Sequence, residues 1–154
     1  MRATLQFDGE DELRAWLDGF RSRLADCSPA FESIQDHFEA YEDLVFEEEG
    51  RGTRWGQWRR LSEPYAAWKA LRAPGMPILD LTGHLRASLS EPNAPDAIRR
   101  IGPREVEFGT SDPKAAAHQE GRGFLPTRPV LDPRNREYDL WFSTVVDHLV
   151  PGVV

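Results

Sequence analysis

The sequence predicts an α+β fold: a small antiparallel sheet packed by amphipathic helices from the N-terminal and C-terminal ends of the chain. Three observations carry this. Apolar residues recur at helical spacing near both ends of the chain, Val106 and Phe108 alternate with Glu105 and Glu107 in the middle, and clusters of proline and glycine keep every element short. The 154 residues read as a single domain spanning 1–154, with an acidic helical part over 1–50 and a core region over 51–154. A chain of this length buries roughly 70% of the surface its unfolded form exposes. Five tryptophans and eight phenylalanines supply large apolar area for that core.

Taken in order, the first helix is expected to start near Asp8 as N-cap, with Asp11 and Glu12 in its first turn and Leu13, Trp16, Leu17, Phe20 and Leu24 along one stripe. Ser28-Pro29 reads as an N-cap with proline at the first helical position, opening a second helix striped by Phe31, Ile34, Phe38 and Tyr41. Residues 47–53, with three glutamates, two glycines and no periodicity, read as an exposed loop. Ser62 and Pro64 then start a short helix with Tyr65, Trp68 and Leu71 on one face, and "APGMP" ends it. Ile78, Leu79 and Leu81 suggest a short strand, after which Thr82 is expected to cap a brief helix holding Leu85, Arg86 and Leu89. "AIRRIG" and "REVEFGT" form a hairpin, residues 113–121 a short helical turn, and "FLPTRPVLD" an extended segment, because its prolines forbid helix and limit ladder donation. Tyr138, Trp141, Phe142, Val145 and Leu149 make a closing helix.

Charge is unevenly distributed. Residues 1–50 carry 14 acidic and four basic side chains, whereas residues 51–154 carry 12 acidic and 15 basic. A general nucleic-acid binder shows a basic footprint, which this chain lacks. The polarity suits a protein whose two ends meet different neighbours. The lone Cys27 forms no internal disulfide and points to a reducing compartment. With no apolar run near the ~20 residues needed to cross a bilayer, the reading is a soluble protein, with no membrane partner.

Chemistry-bearing constellations are sparse. His37, His84, His118 and His148 fall on separate elements, without the convergent ligands of a metal site. No glycine-rich phosphate loop occurs, and no cofactor is expected. Ser88 with His118 and an aspartate stays open as a hydrolytic triad, since triads are defined by geometry rather than chain order. Trp55 and Trp58, beside Arg59 and Arg60, read as core rings packed on the sheet with guanidiniums stacked on them, or as interface anchors. His118 is expected to be a buried imidazole hydrogen-bonded to backbone, holding the loop that includes Gln119.

Four stretches in succession, "WGQWRRLSEPYAAWK", "ILDLTGHLRASLS", "VEFGTSDPKAAAHQEG" and "LPTRPVLD", followed by an amphipathic helix, resemble the phage virion morphogenesis family, which includes tail completion proteins of contractile-tailed phages. The matching residues are Gly56, Trp58, Leu61 and Ser62; Ile78, Leu79, Thr82, Gly83, Leu85, Arg86 and Ser88; Gly109, Thr110, Ala115, His118, Gln119 and Gly121; and Pro126, Arg128, Pro129 and Leu131. Glu120 stands where the family has an aromatic residue, and the first thirty residues carry no motif of the family.

The resemblance implies a structural, non-enzymatic protein of the virion neck or tail end, assembled in the host cytoplasm, that completes or terminates the tail before it joins the head. Its implied partners are other copies of itself in a ring, a hexamer being one size, the tail tube and the head–tail connector proteins, with no more than passing contact with DNA. Trp55, Trp58, Thr82, Gly83, Arg86, Ser88, His118, Gln119 and Arg128 are the implied interface or structural residues. The exposed hairpin edge or the Pro126–Leu131 segment is expected to meet the neighbouring subunit, and the acidic N-terminal third to face a DNA channel or dock on a basic patch. The alternatives are a monomeric adaptor binding one partner through its N-terminal helices, or a small hydrolase using Ser88 and His118.

Overall fold

The computed structural model describes Thr4 and residues 8–152. Among the described residues the order of elements is α1 (Glu10–Ala25), α2 (Ser28–Glu47), α3 (Glu63–Arg72), α4 (His84–Ser90), β1 (Ala97–Ile101), β2 (Val106–Thr110), α5 (Pro113–Glu120) and α6 (Asn135–Leu149). The expected α+β class holds, with the hairpin in the expected place. β1 and β2 pair antiparallel from Ala97↔Thr110 to Ile101↔Val106.

The core is built around α2. Ala30, Ile34, Phe38, Tyr41, Val45 and Phe46 are buried along it at three- and four-residue spacing. Its inner face meets Trp58, Ile78, Leu85, Leu89, Ala115 and Val130, and Phe108 and Trp141 pack at the margin. Phe38 is the junction of layers: its ring lies 5.3 Å from Phe108 of the hairpin and 6.4 Å from Trp141 of α6. Arg99 of β1 sits over the same ring at 5.0 Å. Its guanidinium pairs with Glu39 at 2.8 Å and donates to the carbonyls of Leu89, Ile98 and Gly109, so this cation enters the core with its hydrogen bonds made.

Several local expectations are corrected. Cys27, not Ser28, is the N-cap of α2; the Asp26 carboxylate accepts from Ser28 N–H, supplying a side-chain oxygen from two residues before the expected cap. Gly9, in the left-handed region, rather than Asp8, caps α1. The strand at 78–81 does not form, because Leu79 has φ +66°, which breaks an extended backbone. Residues 47–53 turn sharply but are only partly exposed: Gly50 and Thr53 are buried. A Cβ on Gly50, whose φ is +83°, would lie 2.4 Å from Trp58 Cδ1, so glycine there lets the indole lie flat on the turn. The Tyr65, Trp68 and Leu71 stripe of α3 faces outward, with Leu71 85% exposed, and the residue α3 buries is Lys69. Helical periodicity says which residues share a face; it does not say which face meets the core.

The two end helices differ. α6 packs on α2 through Trp141. α1 reaches the rest of the chain through α6, where Arg23 Nε donates to Leu149 O at 3.0 Å and His148 Nε2 meets Asp26 O at 2.9 Å. α1 buries no residue, and Leu13, Trp16, Leu17 and Leu24 of its stripe stay exposed.

Candidate functional site

The segment leading into the Thr82-Gly83 joint is held by Glu49 of the turn after α2, by Lys69 of α3 and by its own Asp80. Glu49 Oε1 accepts from Ile78 N–H at 2.9 Å, and Lys69 Nζ donates to Pro77 O. Asp80, 2% exposed, accepts from Gly83 N–H at 2.9 Å through Oδ1. Asp80 therefore closes the turn that leads into α4, and Thr82 does not cap it: its side chain is exposed and Gly83, φ +76°, occupies the cap position. One turn on, Arg86 donates to Asp43 at 2.7 Å and to Glu47 at 3.4 Å, pinning α4 to α2. These two carboxylates raise the Arg86 pKa, chiefly through the hydrogen bond that Arg86 donates to Asp43. Burial lowers the Lys69 pKa, which favours the neutral amine against the opposing pull of Asp80 and Glu49.

The second anchored segment is 118–131. α5 starts with the Asp112 carboxylate accepting from Lys114 N–H at 2.9 Å and ends at Gly121 in the left-handed region. Gln119 accepts from both Val130 N–H (2.9 Å) and Leu131 N–H (3.1 Å) and donates to Leu131 O (3.1 Å), which substitutes a side-chain amide for the sheet partner the extended segment lacks. The loop is thus held by Gln119 rather than by the imidazole. His118 contributes its backbone O, which accepts from Arg128 N–H, while its buried Nδ1 has no hydrogen-bond partner among the described residues. Burial, and then the neighbouring Arg128 charge, lower the His118 pKa. Arg128, 4% exposed, donates to Arg59 O (2.9 Å) and Arg60 O (3.3 Å).

Together these segments frame a cleft of about 960 Å³ between α3, α5 and residues 123–128. Thr82, His118 and Arg128 line it, with Arg59, Arg60 and Lys114. The other sequence candidates lie elsewhere. Trp58 is buried, edge-on to Phe46 at 5.4 Å, and donates from Nε1 to Pro129 O at 2.8 Å. It packs on α2 and the 129–130 backbone rather than on the sheet. Trp55 is 74% exposed in a shallow depression with Arg51, Arg54 and Arg134. The rings stacked by cations are Trp68, under Arg72, and Phe38, under Arg99, and not the Trp55/Trp58 pair. Ser88 is fully buried; its hydroxyl donates to Leu85 O and accepts from Thr110 Oγ1, both at 2.8 Å, so it joins α4 to β2. Among the described residues it makes no hydrogen bond to His118, and no cluster of His, Cys, Asp or Glu is arranged to hold a metal ion.

Compared with known protein families, the chain matches the phage virion morphogenesis family over residues 8–144. It belongs to that family. The match takes in α1, so the first thirty residues, which carry none of the motifs quoted above, are part of the family region from residue 8 onward. No curated protein and no solved structure matches the chain. Membership in a phage morphogenesis family gives the protein a phage structural or assembly role, and it points away from catalysis. Among the described residues no helix is long and apolar enough to cross a membrane.

Sequence reasoning missed Asp80, Glu49, Asp43 and Lys69. Asp80 was legible, since an Asp three residues ahead of a glycine is the pattern of a side-chain-closed turn. Glu49 and Asp43 could not be assigned, because their partners, Ile78 N–H and Arg86, come from residues far along the chain.

Proposed function

We propose that this protein is a neck or tail-end component of the phage particle, which completes the tail and prepares it for joining to the head by forming a ring of identical subunits. The observation that carries the proposal is α1. A 16-residue amphipathic helix is marginal in water without a surface to cover its stripe, yet α1 buries no residue within its own subunit. A family of assembly proteins and a helix whose apolar stripe is left largely exposed fit a subunit that is finished by its neighbours. Rotational symmetry of a tail calls for head-to-tail contacts, which close into a ring when the rotation between subunits allows. A hexamer is one ring size to test. In this reading the tail tube and the connector proteins are the other partners, DNA passes without being held, and no step of bond chemistry is assigned to the protein.

The test is a phage lacking this chain. Separate filled heads and tails should accumulate, and purified protein added to the lysate should restore joined, infectious particles. Normal particles formed in its absence would refute the proposal. A purified chain that stays monomeric and takes one partner in a one-to-one complex would favour an adaptor instead.

A further inference from the structure

We infer that the apolar stripe of α1 of one copy seats in the cleft between α3 and α5 of the next copy. The inference rests on the ring reading and names the two surfaces that make it. The surfaces are complementary in both polarity and charge. On α1, Leu13, Trp16 and Leu17 are 57%, 47% and 43% exposed, and they are flanked by the exposed carboxylates of Glu10, Asp11, Glu12 and Asp18. Of these four acids only Glu10 has an ion-pair partner, Arg14 at 2.6 Å, among the described residues.

The cleft presents the opposite pattern. Leu81, Phe124 and Leu125 are exposed apolar groups lining it, and the exposed Arg59, Arg60 and Lys114 stand among them. Arg59 and Arg60 join no ion pair among the described residues, and Lys114 has only a distant one, 3.8 Å to Asp112. Asp80 is the one acidic lining residue, and it is covered, with Oδ1 committed to Gly83 N–H. An apolar stripe with acidic flanks therefore meets an apolar cleft with a cationic rim. The tryptophan is the kind of side chain that anchors such contacts, and the rim charges steer and register them. In the ring reading the stripe of each copy meets the cleft of the next, so the contact is heterologous and repeats from copy to copy.

Two double variants of the full chain test this: Trp16→Ser with Leu17→Ser on the stripe, and Arg59→Glu with Arg60→Glu on the rim. Sedimentation and native mass spectrometry read the assembly, and circular dichroism with thermal melting checks the fold. All four side chains are exposed, and Arg128 bonds the carbonyls of Arg59 and Arg60 rather than their side chains, so the fold should survive. The expected result is a wild-type ring and two folded monomers, with self-association weakened on the order of a hundredfold or more. Mixed one-to-one, the variants should form a dimer and nothing larger, since one intact stripe and one intact cleft make a single joint. If both variants assemble like wild type, or if the mixture stays monomeric, this pairing is overturned while the ring reading stands. A wild-type chain that is monomeric at every concentration would end the ring reading and this inference with it.

Discussion

Glu42 is fully buried in the middle of α2, and neither of its carboxyl oxygens has a hydrogen-bond partner among the described residues. The nearest cation, Arg99, is committed elsewhere: it has made four of its N–H bonds, to Glu39 and to three carbonyls. Loss of water therefore dominates and raises the Glu42 pKa well above its ordinary 4.5, with Arg99 offsetting only part of that rise. The folded state keeps the proton that the unfolded state releases. Stability from this group is fully present below about pH 4.5 and falls as the pH rises toward the elevated folded-state value, by about 1.4 kcal/mol per pH unit across that window. Methionine is close in volume and has no charge to desolvate. Glu42→Met should stabilise the fold by about 1–3 kcal/mol through removal of the unpaired polar group alone. The gain should widen with pH. Glu42→Gln should remove the pH slope and keep much of the cost of burying unpaired polar atoms. Urea denaturation of all three proteins from acid to mildly alkaline pH measures this. Parallel loss of stability in wild type and Glu42→Met, or a less stable Met variant at neutral pH, would show that Glu42 has a partner and would refute the argument.

Two further substitutions test the anchoring of the site. Gly50→Ala places a Cβ 2.4 Å from Trp58 and forces alanine to φ +83°; the left-handed backbone and the displaced indole together should cost about 3–5 kcal/mol, read as a fall in melting temperature. Gln119→Leu leaves Val130 N–H, Leu131 N–H and Leu131 O without their partner, which should cost about 2–4 kcal/mol and raise proteolytic nicking at residues 121–131 in a timed digest. An unchanged digest would mean that Gln119 does not hold this segment.

The helices, the hairpin and the apolar stripes were legible in the sequence because each depends on residues a few positions apart. The stripe of α2, the alternation in β2 and the proline at the start of α5 act through spacing that a reader of the chain can count. The family was legible for a related reason: the left-handed Gly83 that follows Thr82 and the Gln119 anchor need particular residue types at particular offsets. Tertiary structure alone decided which faces were covered. Periodicity placed Tyr65, Trp68 and Leu71 on one face of α3 and Leu13, Trp16 and Leu17 on one face of α1, but both faces stay exposed, and among the described residues no other element covers them. It also decided that Leu79 leaves the extended region, that Trp58 and not Trp55 is the buried ring, and that Arg86 meets Asp43 while Arg128 meets two carbonyls. Local rules choose a residue's conformation among a few; its partners are set by where distant parts of the chain come to rest.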